Sequence, residues 1–206
     1  MINENGRTPH DRSVRILGIG GGMSERSRSR GALDAALRLA EAAGAEAVLA
    51  DVRTLGLPIY NGDWSVDRYP ETLAWLLNEV RVADAFIFCS PTFHGTITGA
   101  VKNVLDALDY LIDDDPPHLG GKVVGLMALG GGAQNVINAL HHTTRAINGI
   151  SARTVVSVPN SAIDAESGLI ADEGVLRRMN AMVTEVLDLT SRLRRPSPVP
   201  VPDPVS

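Results

Sequence analysis

Five apolar runs of strand length, each followed by a longer stretch of helical period, fill the chain from residue 14 to residue 193. This alternation constrains the fold more than any other feature, because repeated βαβ units lead to a parallel sheet with helices on its faces. The runs are VRILGIG (14–20), EAVLADV (46–52), AFIFCS (85–90), VVGLMALG (123–130) and ARTVVSV (152–158). Each is almost continuously apolar, as a strand buried on both faces has to be. Helical period is read over 29–43, 70–82, 96–112, 133–148 and 172–193. In the third of these, Ile97, Val101, Val104, Leu105, Leu108 and Leu111 fall on one stripe, with Lys102, Asp106 and Asp109 off it. Pro70 suits a first helical turn, where its fixed φ is helical and its missing N–H has no partner to lose.

Right-handed crossovers leave few ways to order five such strands. The α/β class expected is a flavodoxin-like three-layer sandwich: a five-stranded parallel sheet in the order 2-1-3-4-5, ahead of a six-stranded dinucleotide fold, since no sixth strand is visible. With 206 residues and 44% hydrophobic content, one core is the expectation. It is taken to occupy 13–194. Residues 1–12 are a polar N-terminal segment, and 195–206, with proline at every second position from Pro196 to Pro204, an extended C-terminal one. The acidic, proline-containing run DDDPPH (113–118) marks a surface loop.

A net charge of -5 argues against a protein that coats nucleic acid or an anionic membrane, because both require a cationic field. Cys89 is the sole cysteine, which excludes a disulfide framework and a thiolate metal cluster. It sits inside an apolar run and reads as a small core residue. The polar start and the lack of a long apolar run read as a protein of the reducing cytoplasm.

In an open parallel sheet the carboxyl ends of the strands share one edge, and ligands bind there where the strand order reverses. Three loops reach that edge from strands that are neighbours in the 2-1-3-4-5 order: GGGMSERSRS (20–29), SPTFHGT (90–96) and LGGGAQ (129–134). The first offers serine hydroxyls, two arginines and a helix N-terminus, the ingredients of a phosphate cradle. A solvated turn ending in a helix cap explains the same residues. Two phosphate fingerprints fail. Met23 stands where the dinucleotide motif needs its third glycine, and no Gly-Lys-Ser/Thr follows as a Walker loop requires. Asp51, at the end of the second strand, keeps a dinucleotide reading open as a ribose-binding carboxylate. An arginine-serine nucleic-acid segment is disfavoured by Glu25 inside the run. Neither G-x-S-x-G nor H-E-x-x-H occurs, and His141 and His142 are adjacent on a helix and diverge.

Ser90, Pro91, Phe93, Gly95, Thr96, Gly99, Ala100, Val101, Lys102, Asn103, Leu105 and Asp106 together resemble a motif of the NADPH-dependent FMN reductase family of flavodoxin-like proteins. Gly21, Ser24, Ser27, Arg28 and Ser29 are similar to the phosphate loop of the branch that supplies reduced flavin to sulfonate monooxygenases. Gly130, Gly131 and Gly132 resemble the family's third flavin-contacting turn, and YNGD (60–63) also looks familial. Phe93 departs from a usual tyrosine, His94 from asparagine or lysine, and Thr98 from a frequent proline.

The resemblance implies FMN as cofactor and NADPH or NADH as hydride donor. Its phosphate would lie against Gly21, Ser24, Arg26, Ser27, Arg28 and Ser29. Its ring would run along Pro91, Thr92, Phe93, His94, Gly95 and Thr96 and along the three glycines. The N-terminus of the 96–112 helix would face the ring edge that becomes anionic on reduction. No catalytic side chain and no metal are expected, because hydride transfer needs orientation rather than a nucleophile. The same resemblance implies a small-molecule electron acceptor and a homodimer or homotetramer, with the 60–69 loop of a neighbour near the flavin. An aromatic content of 4% fits an enzyme that leaves one ring face open, with Phe93 and YNGDW the few aromatics near the site. A flavodoxin-like electron carrier without nicotinamide turnover, or a nucleotide-binding fold without flavin, is the competing reading.

Overall fold

The computed structural model describes residues 12–164 and 166–194; the 195–206 segment and residues 1–11 of the N-terminal one lie outside the described residues. The strands are β1 Arg15–Gly20, β2 Glu46–Asp51, β3 Ala85–Phe93, β4 Thr96–Ile97, β5 Val123–Leu129 and β6 Ile150–Val158. The α-helices are α1 Arg28–Ala42, α2 Val52–Leu55, α3 Glu71–Val82, α4 Gly99–Asp106, α5 Ala133–Ala146 and α6 Glu173–Leu193. Five strands pair in parallel in the order β2-β1-β3-β5-β6, which is 2-1-3-4-5 when the long strands are counted along the chain.

Helices cover both faces and divide the core in two. On one side α1 and α6 bring Leu33, Ala36, Met179 and Met182 against Ile16, Ile87 and Met127. On the other, α3, α4 and α5 bring Leu73, Leu76, Val101, Leu105 and Val136 against Leu17, Phe86, Phe88 and Leu126. All seven residues of β5 are buried, whereas the edge strand β6 alternates exposed and buried positions. Continuous apolar runs therefore mark the middle of the sheet and alternation marks its rim. No helix among the described residues is long and apolar enough to cross a membrane.

The join after β3 differs from the sequence expectation, and the difference shapes the site. β3 runs on to Phe93, and Thr96–Ile97 turns back as a sixth, antiparallel strand, with Thr92 opposite Ile97 and Phe93 opposite Thr96. His94 (φ 50°) and Gly95 (φ 80°) form the two-residue turn between them. Both positions need left-handed φ, as in a type I′ hairpin. Glycine takes it freely, and histidine is among the side chains that tolerate it best. The helix expected over 96–112 is consequently shorter: α4 starts at Gly99, with Thr98 as N-cap, and gives way to a 3-10 turn over Ala107–Leu111. Pro70 is the N-cap of α3 and not its first residue. The short α2 and an isolated bridge between Ile163 and Ile170 were not legible from periodicity, since neither is long enough to show a period.

Candidate functional site

Ser27 organises the first loop. As N-cap of α1 its Oγ accepts the Arg30 N–H at 3.2 Å and lies 3.0 Å from Ser29 Oγ. Whichever serine donates in that pair, one hydroxyl proton is left for a ligand. The first amides of α1, at Arg28 and Ser29, precede any intrahelical partner and carry the positive end of the helix dipole. Behind the loop, the Gly21 N–H donates to Cys89 O at 3.2 Å. Asp51 Oδ1 stands 2.7 Å from where a Cβ on Gly21 would lie. Asp51 is occupied from within: it accepts from the Arg53 amide and the Thr54 hydroxyl and stands 3.4 Å from the Arg30 guanidinium. It props the loop from below and does not line the cleft, so the dinucleotide reading of this carboxylate falls away.

The loops after β1, β3 and β5 meet around one open cleft of about 310 Å³, the size range of small-molecule sites. Ser24, Arg26, Ser27, Arg28 and Ser29 line it from the first loop, Pro91, Thr92 and Phe93 from the second, and Gly130 and Gly131 from the third. Gly22, Met23 and Leu129, inside the loops expected at this edge but not named as cofactor-binding residues, also line it, as does Asn160, which lies outside all three loops. Asn160 follows β6, a strand whose loop carries no glycine cluster; its place on the carboxyl edge was the one available signal. Five expected residues stand elsewhere. Gly21 is buried behind the loop, His94, Gly95 and Thr96 form the exposed hairpin end beyond Phe93, and Gly132 caps α5 in the left-handed region.

Two observations fit this cleft to a flat, phosphorylated ligand. A Cβ on Gly22 would stand 3.2 Å from Ser27 Oγ, 3.4 Å from Ser29 Oγ and 3.6 Å from Pro91 Cγ, so glycine keeps the space among the hydroxyls open. Thr92 Oγ1 is buried with no hydrogen-bond partner among the described residues. Burying such a hydroxyl unpaired costs about 1–3 kcal/mol, an expense that a ligand acceptor or donor removes. Phe93 and Met23 flank the cleft as exposed apolar surfaces, at 64% and 60%. FMN, with a phosphate at one end and a planar ring at the other, matches this donor set.

Two expectations about the surroundings are corrected. The α4 N-terminus does not line the cleft; there Thr98 Oγ1 accepts the Val101 N–H at 3.4 Å, and the Thr98 N–H donates to the buried Ser90 Oγ at 3.1 Å. α5 is the helix that starts uncapped by a side chain directly after the third loop. Nor do the YNGDW aromatics line the cleft. Tyr60, Trp64, Tyr69 and Tyr110 pack edge to face with centroids 5.6–5.9 Å apart. Asn103 pins that segment to α4 by accepting the Tyr60 N–H at 2.7 Å and donating to Pro58 O at 2.9 Å.

Cys89 is fully buried, and burial pushes its thiol up to about 12, so it is an inert core group. His141 is half-buried and His142 exposed. Among the described residues no group of three or more His, Cys, Asp or Glu is placed to hold a metal ion.

A family model described as NADPH-dependent FMN reductase matches residues 14–166. An NADPH azoreductase of Bacillus sp. is 36% identical over 110 residues, covering 53% of this chain and 58% of that relative, so the chain spans a little over half its length. An NAD(P)H-dependent FMN reductase of Pseudomonas aeruginosa is 25% identical over 166 residues, 78% of this chain and 86% of the relative. Among solved structures, the flavoenzyme NAD(P)H:(acceptor) oxidoreductase of Paracoccus denitrificans superposes with a TM-score of 0.70 at 17% identity, covering 87% and 98% of the two chains. At that identity the superposition speaks for the fold alone.

Proposed function

The chain belongs to the NADPH-dependent FMN reductase family, and on that premise we propose that the cleft holds FMN and works as an NAD(P)H oxidoreductase delivering electrons to a small acceptor such as a quinone, an azo compound or free flavin. The observation that carries this reading is the convergence of three loops on one cleft that combines an unused serine proton with the unpaired Thr92 hydroxyl. FMN supplies the redox chemistry, taking hydride from the nicotinamide and passing two electrons on.

The chain's own task is binding and orientation. Ser27, Ser29, the first α1 amides and the Arg26 and Arg28 guanidinium groups receive the phosphate. Gly22, Gly130 and Gly131 let the backbone approach, and the Thr92 hydroxyl bonds the cofactor. Phe93 and Met23 cover apolar ring surface and keep water from it. No side chain is assigned a proton or a covalent step. The His94, Gly95 and Thr96 turn is continuous with Phe93 and forms the rim that an acceptor meets first, while Gly21 and Gly132 support the walls from outside. Family membership and the reductase names of the relatives favour turnover over a pure electron carrier. We assign a homodimer or homotetramer on the family membership. A cytoplasmic location is supported by the unpaired, buried Cys89.

One preparation tests these points. The protein is incubated with FMN, desalted, weighed by light scattering and titrated anaerobically with NADPH and with NADH. Retained flavin that NADPH bleaches, in a particle of two or four chains, is expected. Retained flavin that neither nicotinamide bleaches contradicts the enzyme reading, and a monomer contradicts the assembly.

A further inference from the structure

We infer that Glu166, on the acidic turn after β6, competes with the flavin phosphate for Arg26 and so sets how firmly FMN is held; the inference rests on the flavin-binding reading above. Arg26, Ser27 and Arg28 form a wall shared by two spaces. In front lies the flavin cleft, and behind lies a cavity of about 430 Å³ between α1 and the 164–170 segment that joins β6 to α6. A guanidinium on that wall has two directions in which to meet an anion: forward to a phosphate, or back to the carboxylates of the segment.

The acidic turn is fixed close to α1. A Cβ on Gly31 would stand 3.0 Å from Gly168 Cα, so the two backbones pass with no side chain between them. Ile163 and Ile170 bridge across the segment. Asp164 Oδ1 accepts the Glu166 amide at 3.1 Å and the Ser167 amide and hydroxyl at 2.7 Å each. The bonds from Ser167 and Glu166, with Arg28 as a smaller contribution, hold the Asp164 carboxyl below the usual carboxylate range. A negative charge therefore stands behind the phosphate loop, and the same turn presents a second one.

That second charge is Glu166, whose Oε1 lies 3.4 Å from Arg26 Nη1, between side chains 82% and 72% exposed. Ion pairs this exposed are weak. The guanidinium can leave Glu166 for a phosphate, and the pair lowers affinity without blocking the site. Neighbouring cations are matched as well: Arg53 pairs with Glu25, and Arg30 stands against Asp51. An incoming phosphate thus meets arginines that already have anionic neighbours, an arrangement suited to a flavin that exchanges.

Fluorescence titration with FMN and with riboflavin, which has the ring and no phosphate, compares the parent with Glu166→Gln. The substitution keeps the side-chain shape at an exposed position, so folding is expected to be unaffected. FMN is expected to bind about two- to fivefold tighter, the range of one exposed ion pair, while riboflavin affinity stays at the parental value. The gain should vanish in an Arg26→Ala background and should shrink at about 1 M salt, which screens an exposed pair. Unchanged FMN affinity overturns the inference. Weaker binding overturns it too, because Glu166 would then be aiming Arg26 at the phosphate. So does equal tightening of riboflavin, or a gain that persists without Arg26. A parent protein that takes up neither flavin strikes the flavin-binding reading instead.

Discussion

The two edges of the sheet differ in how their charged groups are paired. At the amino edge most of the charges close on one another, with Arg15 Nε and Thr190 Oγ1 left buried and unpartnered among the described residues. Asp84, directly before β3, accepts the Arg15 amide at 2.8 Å and pairs with Arg12 and Arg194. Arg15 also pairs with Glu46 and Glu79. Lys122 donates to Val80 O and Arg81 O at the end of α3, and burial holds its ammonium below the ordinary lysine value. At the carboxyl edge, among the described residues, groups stay open: the spare serine proton, the Thr92 hydroxyl and the start of α5, which no side chain caps. Charge pairing at one edge fastens Arg12 and Arg194 to the sheet, and the open groups of the other border the cleft.

Removing the clamp at the amino edge should give the largest effect. Asp84→Ala strands two guanidinium groups and an amide around a side chain only 10% exposed, and is expected to lower unfolding stability by about 2–3 kcal/mol. Urea denaturation measures that loss. FMN affinity should remain at the parental value, and a parallel loss of affinity would mean the edges are not separable. Gly22→Ala probes the other edge. Gly22 has no left-handed φ and its Cβ would meet only side-chain atoms, so stability should hold within about 0.5 kcal/mol. FMN affinity should fall about tenfold or more as the methyl occupies the phosphate space. Flavin fluorescence titration checks the affinity and thermal unfolding the stability.

How far the sequence disclosed these edges depends on how each signal arises. The central strands were legible because burial on both faces leaves an unbroken apolar run, and the order 2-1-3-4-5 was preferred because right-handed crossovers leave few topologies and no sixth long strand was visible. The first cleft-lining loop was legible because Ser27 and Ser29 and the glycines stand together in the chain. The amino-edge clamp was not, since Arg12, Asp84 and Arg194 are far apart in sequence and meet only through the fold. Nor was the β3 to α4 join. Ile97 continues the apolar stripe of the helix that follows, so periodicity assigned Thr96 and Ile97 to it, while the left-handed turn at His94 and Gly95 had already redirected the backbone. Asn160 was hidden for a different reason: a single polar residue after an edge strand has no pattern to betray it.

The claim that the carboxyl edge is left incomplete for a cofactor is tested most directly at Thr92. Thr92→Val keeps the shape and removes the buried, unpartnered Oγ1, so its two consequences should have opposite signs. The flavin-free protein should become more stable by about 1 kcal/mol, and FMN binding should weaken by a similar amount. Thermal unfolding of the FMN-free variant, paired with flavin titration of the same sample, reads both. A gain in stability with a loss of affinity is the predicted result. Unchanged affinity, or a loss of stability without flavin present, would contradict it.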